Sequence, residues 1–107
     1  MSKAIRFHLT VGIMVMVGCA SAFAQSAGEA TYKTKCQNCH GPDGQANSGI
    51  GKAMKVKPVA DPEVKKLSEE TMIEAVRNGE GKMQSYKSSL TDVQIKDSVD
   101  YFRKFMK

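Results

Sequence analysis

Two thiols and an imidazole stand within five consecutive residues, Cys36-Gln37-Asn38-Cys39-His40. A Cys-x-x-Cys-His run is the attachment signature of a c-type haem. Each thiol can add to one vinyl group of the haem, and two intervening residues let both sulfurs act from one short helical turn. His40 then falls under the iron as the proximal ligand. Cys-x-x-Cys alone is shared with thioredoxin-like sites and zinc half-sites. The adjoining histidine, an exported context and the lack of a second cysteine pair separate this chain from both. The alternative that the residues leave open is a structural disulfide between Cys36 and Cys39.

The other face of the iron decides the chemistry. One protein ligand leaves a site for a small molecule, whereas two favour electron carriage. The chain has two histidines, His8 and His40. His8 lies in a segment expected to be removed, so bis-histidine ligation within one mature chain is excluded. A thioether is the remaining natural donor, and Met/His ligation raises the reduction potential. Beyond the N-terminal segment the methionines are Met54, Met72, Met83 and Met106. Methionine in a small protein is by default core filler, and Met72 and Met106 sit on apolar helix faces. Met54 and Met83 fall in loops. Met83 lies in Gly81-Lys82-Met83-Gln84-Ser85, where no apolar stripe explains it. It is the preferred ligand, although spacing alone leaves Met54 open.

The context comes from the N-terminus. Lys3 and Arg6 precede an apolar run from Ile13 to Val17, and Ala22-Phe23-Ala24 offers a peptidase site. This pattern predicts a secretory signal over 1–24, cleaved after Ala24. The run is too short for a membrane span of about 18–20 residues. Cys19 would leave with the signal. The lesser alternative reads Met16-Val17-Gly18-Cys19 as a lipid-attachment box. Residues 25–107 then form one domain. Losing Lys3 and Arg6 lowers the formal charge from +5 to +3. A chain this short struggles to build a sufficient core alone, and a covalently held apolar plate answers that need.

The elements that must position these residues are helical. The spacing predicts a short first helix over 28–35, with Gly28 and Tyr32 on one face. Gly28 either admits a crossing helix or simply starts this one. Gly41-Pro42-Asp43-Gly44 is a turn signal, and 44–60 reads as loop. Asp61-Pro62 predicts a helical turn to about Lys66. Ser68 caps a helix over 68–78, with Leu67 and Met72 as its hydrophobic staple. Gly79 is expected to end it in the left-handed conformation. Thr91 and Gln94 form a capping box for the last helix, about 92–106, and Leu90 and Ile95 its staple. Ile95, Val99, Phe102 and Phe105 or Met106 repeat at helical spacing. No strand pattern or repeat is visible. The expectation is an all-α fold, three main helices and long loops wrapped around one haem.

With those stretches in view, residues 25–107 resemble a small bacterial monohaem class I cytochrome c. The carrying segments are Gly28 to Tyr32, Cys36 to Gly41, Gly81-Lys82-Met83, and Leu90 to Arg103 with its Tyr101-Phe102 pair. The resemblance implies a first helix crossing the last, with Gly28 and Tyr32 against Tyr101 or Phe102. It also implies thioether links at Cys36 and Cys39, proximal His40 and distal Met83. Members often place a proline after the ligand methionine, and here Gln84 stands there. A proline carbonyl often orients the proximal imidazole, for which Pro58 is a candidate.

The function expected is periplasmic electron carriage by a monomer, without catalysis. Glu69, Glu70 and Glu74 read as a solvated helix face rather than acid–base groups. Lys52, Lys55 and Lys57, with Lys82 and Lys87, are either ordinary surface or a basic rim that steers an acidic redox partner. Nucleic-acid binding is not expected, because two haem propionates offset most of the +3. Two other classes compete: a haem enzyme or gas sensor with a labile sixth ligand, and a haem-free disulfide module.

Overall fold

The protein, seen in a computed structural model, is described over residues 26–107. The expected signal segment, with His8 and Cys19, lies outside the described residues. The N-terminal helical run has three parts. These are α1 (Ser26–Thr31), a π-helical turn (Tyr32–Cys36) and α2 (Gln37–His40). Then come α3 (Gly49–Ala53), α4 (Pro62–Lys65), α5 (Glu69–Asn78) and α6 (Asp92–Arg103), which tightens into a 3₁₀ turn at Lys104–Met106. Among the described residues the only β pairing is an isolated bridge between Glu80 and Met83. The fold is all-α, as expected.

The chain's polar residues start the helices where the sequence placed them. Ser68 Oγ accepts from Thr71 N, and Asp61 accepts from Glu63 N with Pro62 in the first turn. Thr91 and Gln94 form the reciprocal capping box. Each pair satisfies helix N–H groups that have no intrahelical partner. Of the two stapling residues, Leu90 is buried but Leu67 is exposed.

Three expectations need correction. The stretch 44–60 is not all loop, because Ser48 caps α3 by accepting from Gly51 N. The first helix does not run regularly to Lys35. Thr34 Oγ1 donates back to the Ala30 carbonyl at 2.9 Å, a contact that bends helices, and Gln37 N reaches Tyr32 O to close the wider turn. Gly79 has φ of +80° but ψ of 158°, so it ends α5 in an extended conformation that lacks the left-handed ψ.

The molecule's architecture rests on the crossing of α1 and α6. A Cβ on Gly28 would lie 2.4 Å from the Asp97 carbonyl oxygen, so only glycine lets the two backbones meet. This settles the role of Gly28 as the crossing point. One turn on, Tyr32 is 1% exposed. Its ring packs 5.1 Å from Tyr101, 6.3 Å from Phe102 and 5.9 Å from Phe105, centroid to centroid. Aromatic pairs at such distances add to simple burial. Ile95 and Val99 complete the inner face of α6. Arg103 then ties α6 to the entry of α5, donating to the Leu67 carbonyl at 3.2 Å.

Tyr32 also donates its hydroxyl to the Gly41 carbonyl at 2.6 Å. Burial, then the nearby Cys36, Asp43 and Tyr101, push its pKa well above the ordinary 10.0. The fold therefore holds this proton longer than the unfolded chain does. The contribution is intact below pH 10 and declines as pH rises beyond it. Tyr32→Phe is expected to lose about 1 kcal/mol at neutral pH and to flatten that alkaline decline. Urea unfolding at pH 7 and at steps towards pH 11 checks both. An alkaline loss as steep in the variant as in the parent would refute the assignment to Tyr32.

Candidate functional site

The thiols and the imidazole are carried by the end of the N-terminal helical run, and other parts of the chain pin its backbone. Tyr86 donates to the Lys35 carbonyl at 3.1 Å. Ser48 donates to the Asn38 carbonyl at 2.6 Å. Ala46 N reaches the His40 carbonyl at 2.8 Å, and Gly41 N reaches the Gln37 carbonyl at 2.8 Å. Ala46 is a buried residue with φ of +56°, a strained conformation that persists where surroundings over-determine it. Gly51 brings α3 against the same segment, since a Cβ there would lie 2.4 Å from the Cys39 carbonyl oxygen.

With the backbone satisfied, the three reactive side chains face a cavity of about 1040 Å³, lined by Cys36, Cys39 and His40. This is at the upper end of the range for small-molecule and cofactor sites. Cys36 and Cys39 are unlinked thiols in this structure. Burial pushes the Cys36 thiol up to about 11, with Cys39 adding to the shift. The His40 ring lies edge-on to Phe102, 5.4 Å between centroids. Burial lowers its pKa, which favours the neutral imidazole that ligates metals. Its Nδ1 is buried without a hydrogen-bond partner among the described residues. Pro58 therefore does not hold the imidazole here; its carbonyl accepts from Asp61 N at 3.0 Å.

Three methionines line the same cavity, Met54, Met72 and Met83. Met72 is 6% exposed, and its sulfur accepts from the Arg103 guanidinium at 3.7 Å. It is therefore engaged in packing, as its place on an apolar helix face led one to expect. Met54 ends α3, the element seated against the Cys39 carbonyl. Met83 comes from a different wall. Its backbone N–H and carbonyl pair with Glu80 at 2.9 and 3.1 Å, in a turn where Gly79 and Gly81 both have positive φ. A Cβ on Gly79 would lie 2.9 Å from the Met83 carbonyl oxygen, so a side chain there would push the turn aside. The following residues dock on the end of α5. Ser85 Oγ donates to the Arg77 carbonyl at 2.7 Å, and Tyr86 N to the Val76 carbonyl at 3.0 Å.

Lysines surround this cavity. Lys35, Lys55, Lys57 and Lys82 line it. Lys57 pairs with Glu63, whereas Lys35, Lys55 and Lys82 form no ion pair among the described residues. Lys35 was not singled out in the sequence; its place beside Cys36 was the available signal. Lys52 and Lys87 are exposed and outside the lining. Of the carboxylates expected to be solvated, Glu74 pairs with Arg77, and Glu69 is half-buried and 3.4 Å from Lys96.

A helical fold whose thiols and imidazole line one cofactor-sized cavity defines the class of small c-type cytochromes. The family described as "Cytochrome C oxidase, cbb3-type, subunit III" matches residues 23–102, and the chain belongs to that family. Among solved structures, the "KustC0563 c-type cytochrome" is 33% identical, with a TM-score of 0.68, covering 75% of this chain and 98% of its own. A Tyr-to-Phe mutant of Kustc0563 aligns at 31% identity and a TM-score of 0.66, covering 74% and 98%. No curated protein matches the chain. This is thus a small monohaem cytochrome c, its cofactor one covalently bound haem c with iron, and its family role is electron carriage. Among the described residues no helix is long and apolar enough to cross a membrane.

Ser48 does two jobs here, capping α3 and holding the Asn38 carbonyl. Ser48→Ala is expected to lower stability by about 1–2 kcal/mol. In a domain of this size each kcal/mol shifts Tm by roughly 4–8 °C. A thermal melt within a degree of the parent would show that the hydroxyl has no such share.

Proposed function

We propose that the chain is an exported, periplasmic electron carrier. Cys36 and Cys39 carry the two thioether links, His40 is the proximal ligand and Met83 the distal one. The observation that carries this reading is the meeting, in one cavity, of two free thiols, a neutral buried imidazole and a thioether on a separately anchored loop. That donor set fits haem c. Met83 is preferred over Met54 because its loop is anchored on α5, away from the His40 segment, whereas Met54 caps α3, which lies against the Cys39 carbonyl. When bound, the haem iron supplies a one-electron couple between its ferrous and ferric states. The chain's own residues hold both ligands in place through that change. Thioether ligation opposite histidine favours the ferrous state. The signal pattern at 1–24 supports export, and the matching redox compartment allows the thiols to be handled outside the cytoplasm.

An optical spectrum of the purified holoprotein, oxidised and then reduced, tests the ligand set. A sharp c-type reduced spectrum is expected, with the weak long-wavelength iron–sulfur band in the oxidised form. Met83→Ala should abolish that band, and Met54→Ala should leave it. A parent that lacks the band and binds carbon monoxide when reduced would instead mean an open iron. The ligand-binding alternative would then replace electron carriage.

Lys35, Lys55 and Lys82 support a basic docking rim for an acidic redox partner, since their charges are unmatched beside the cofactor cavity. Electron exchange with an acidic partner protein should slow steeply between low and physiological salt, as steered association does. The neutralising change Lys55→Gln should lessen that dependence. A rate indifferent to ionic strength would remove the rim from the function.

A further inference from the structure

Tyr86 links the two walls of the cofactor cavity. Its main chain belongs to the loop that carries Met83; its N–H anchors that loop to α5, and its carbonyl closes the turn that leads into α6. The N–H donates to the Val76 carbonyl at the end of α5, and the carbonyl accepts from Leu90 N at 2.9 Å, just before α6. Its side chain goes the other way. The ring lines the cavity, and the hydroxyl donates to the Lys35 carbonyl, 51 residues away in sequence. Lys35 is the residue immediately before Cys36.

Where Cys36 and Met83 both hold the haem, this bond would close a ring. The path would run from Lys35 through Cys36 and the haem to Met83, along the backbone to Tyr86, and back to Lys35. Without the hydroxyl contact, the hydrogen bonds that tie the Met83 loop to the helices all go to the end of α5. Gln84, beside Met83, has no pyrrolidine ring to fix its φ. The backbone between ligand and anchor is therefore held by its ties rather than by its own stiffness. A thioether competes with any external ligand for the iron, and it competes in proportion to how often it is correctly placed. An external ligand's apparent affinity scales with the fraction of molecules in which the site is open.

We propose that Tyr86 is the positioning residue that holds the Met83 thioether on the iron, through its hydroxyl bond to the Lys35 carbonyl. The inference rests on the reading of Met83 as distal ligand. It assigns Tyr86 no contact with the iron and no part in the electron step. Loss of one hydrogen bond of this kind corresponds to roughly a fivefold larger open fraction.

The experiment uses the haem-loaded protein and its Tyr86→Phe, Ser85→Ala and Met83→Ala variants. The phenyl ring keeps the cavity wall and removes only the hydroxyl. Ser85→Ala loosens the same loop at α5, where its hydroxyl bonds the Arg77 carbonyl, and leaves the Lys35 tie intact. The readouts are the long-wavelength band, imidazole titration of the ferric iron, and Tm. Tyr86→Phe is expected to keep the c-type spectrum, to weaken the band and to bind imidazole about fivefold more tightly. Ser85→Ala should lower Tm with a smaller change in imidazole affinity.

If Met83→Ala leaves the band intact, the ligand reading itself fails and the inference falls with it. If Met83→Ala abolishes the band but Tyr86→Phe binds imidazole as the parent does, the ligand reading stands and the Tyr86 assignment is overturned. A drop in Tm alone in Tyr86→Phe overturns it likewise. An equal rise in imidazole affinity in Ser85→Ala would assign the effect to loop docking in general, which also overturns the specific role of the hydroxyl.

Discussion

The close approach of two backbones at Gly28 and Asp97 sets the geometry of this molecule. A hydrogen in place of a side chain lets α1 lie against α6, and the rest follows along the two helices. One turn beyond the contact, Tyr32 reaches Tyr101, Phe102 and Phe105. Phe102 in turn meets the His40 ring. The first and last described helices are thereby joined through aromatic contact to the residue that faces the cofactor. Gly44 repeats the device on the far side. A Cβ there would lie 3.2 Å from Phe102, Phe105 and Val59, so the turn after the motif can close over the same aromatic cluster. At Gly28 a side chain would strike backbone, and at Gly44 it would crowd the cluster in a backbone conformation of φ +74° that favours glycine. These two glycines bring the first helical run, the motif and the last helix to one place.

The small size of the buried core explains why so much depends on the cavity. Among the described residues the buried apolar set is Tyr32, Ala46, Val59, Met72, Leu90, Ile95 and Val99. For a domain this short, that is a thin core. Met72 and Val99 belong also to the cavity wall. The apolar face that α5 and α6 turn inward is therefore shared between protein packing and cofactor packing. Binding and folding are coupled in such a design, because the same side chains serve both. The surface ion pairs around it, such as Lys96 with Asp100 at 2.7 Å and Lys33 with Glu29 at 2.7 Å, are exposed and contribute little by comparison.

Much of this was legible in the sequence, for identifiable reasons. Ser68, Thr91 with Gln94, and Asp61-Pro62 act through local hydrogen bonds, so a few adjacent residues determine the outcome. The motif at 36–40 is equally local. What stayed hidden depends on non-local or backbone-only effects. Helix α3 contains two glycines in five residues, which masks any periodicity, and only the Ser48 cap marked it. The π-helical turn comes from wider backbone hydrogen bonding that ends with Gln37 N on the Tyr32 carbonyl, and Thr34 bonding back to Ala30 leaves no periodic signal of it. Gly79 has the positive φ that glycine allows, but its ψ follows from the Met83 carbonyl packed against it. Tyr86 carries no local signal, because nothing near it in sequence points to Lys35.

The Cys36-to-His40 segment shows why a motif needs a fold. Five residues with the right donors would offer their backbone carbonyls to water and adopt many conformations. Here the carbonyls of Lys35, Asn38, His40 and Gly41 are taken by Tyr86, Ser48, Ala46 and Tyr32. Those partners come from before the motif, from the turn and cap just after it, and from the Met83 loop. Once the backbone's polar groups are met by protein, the conformation that meets them is the one that persists. The side chains are then left to face the cavity, and burial keeps His40 neutral without needing a charged neighbour. The donors are local in sequence, but their aim is set by hydroxyls and N–H groups delivered from the surrounding chain.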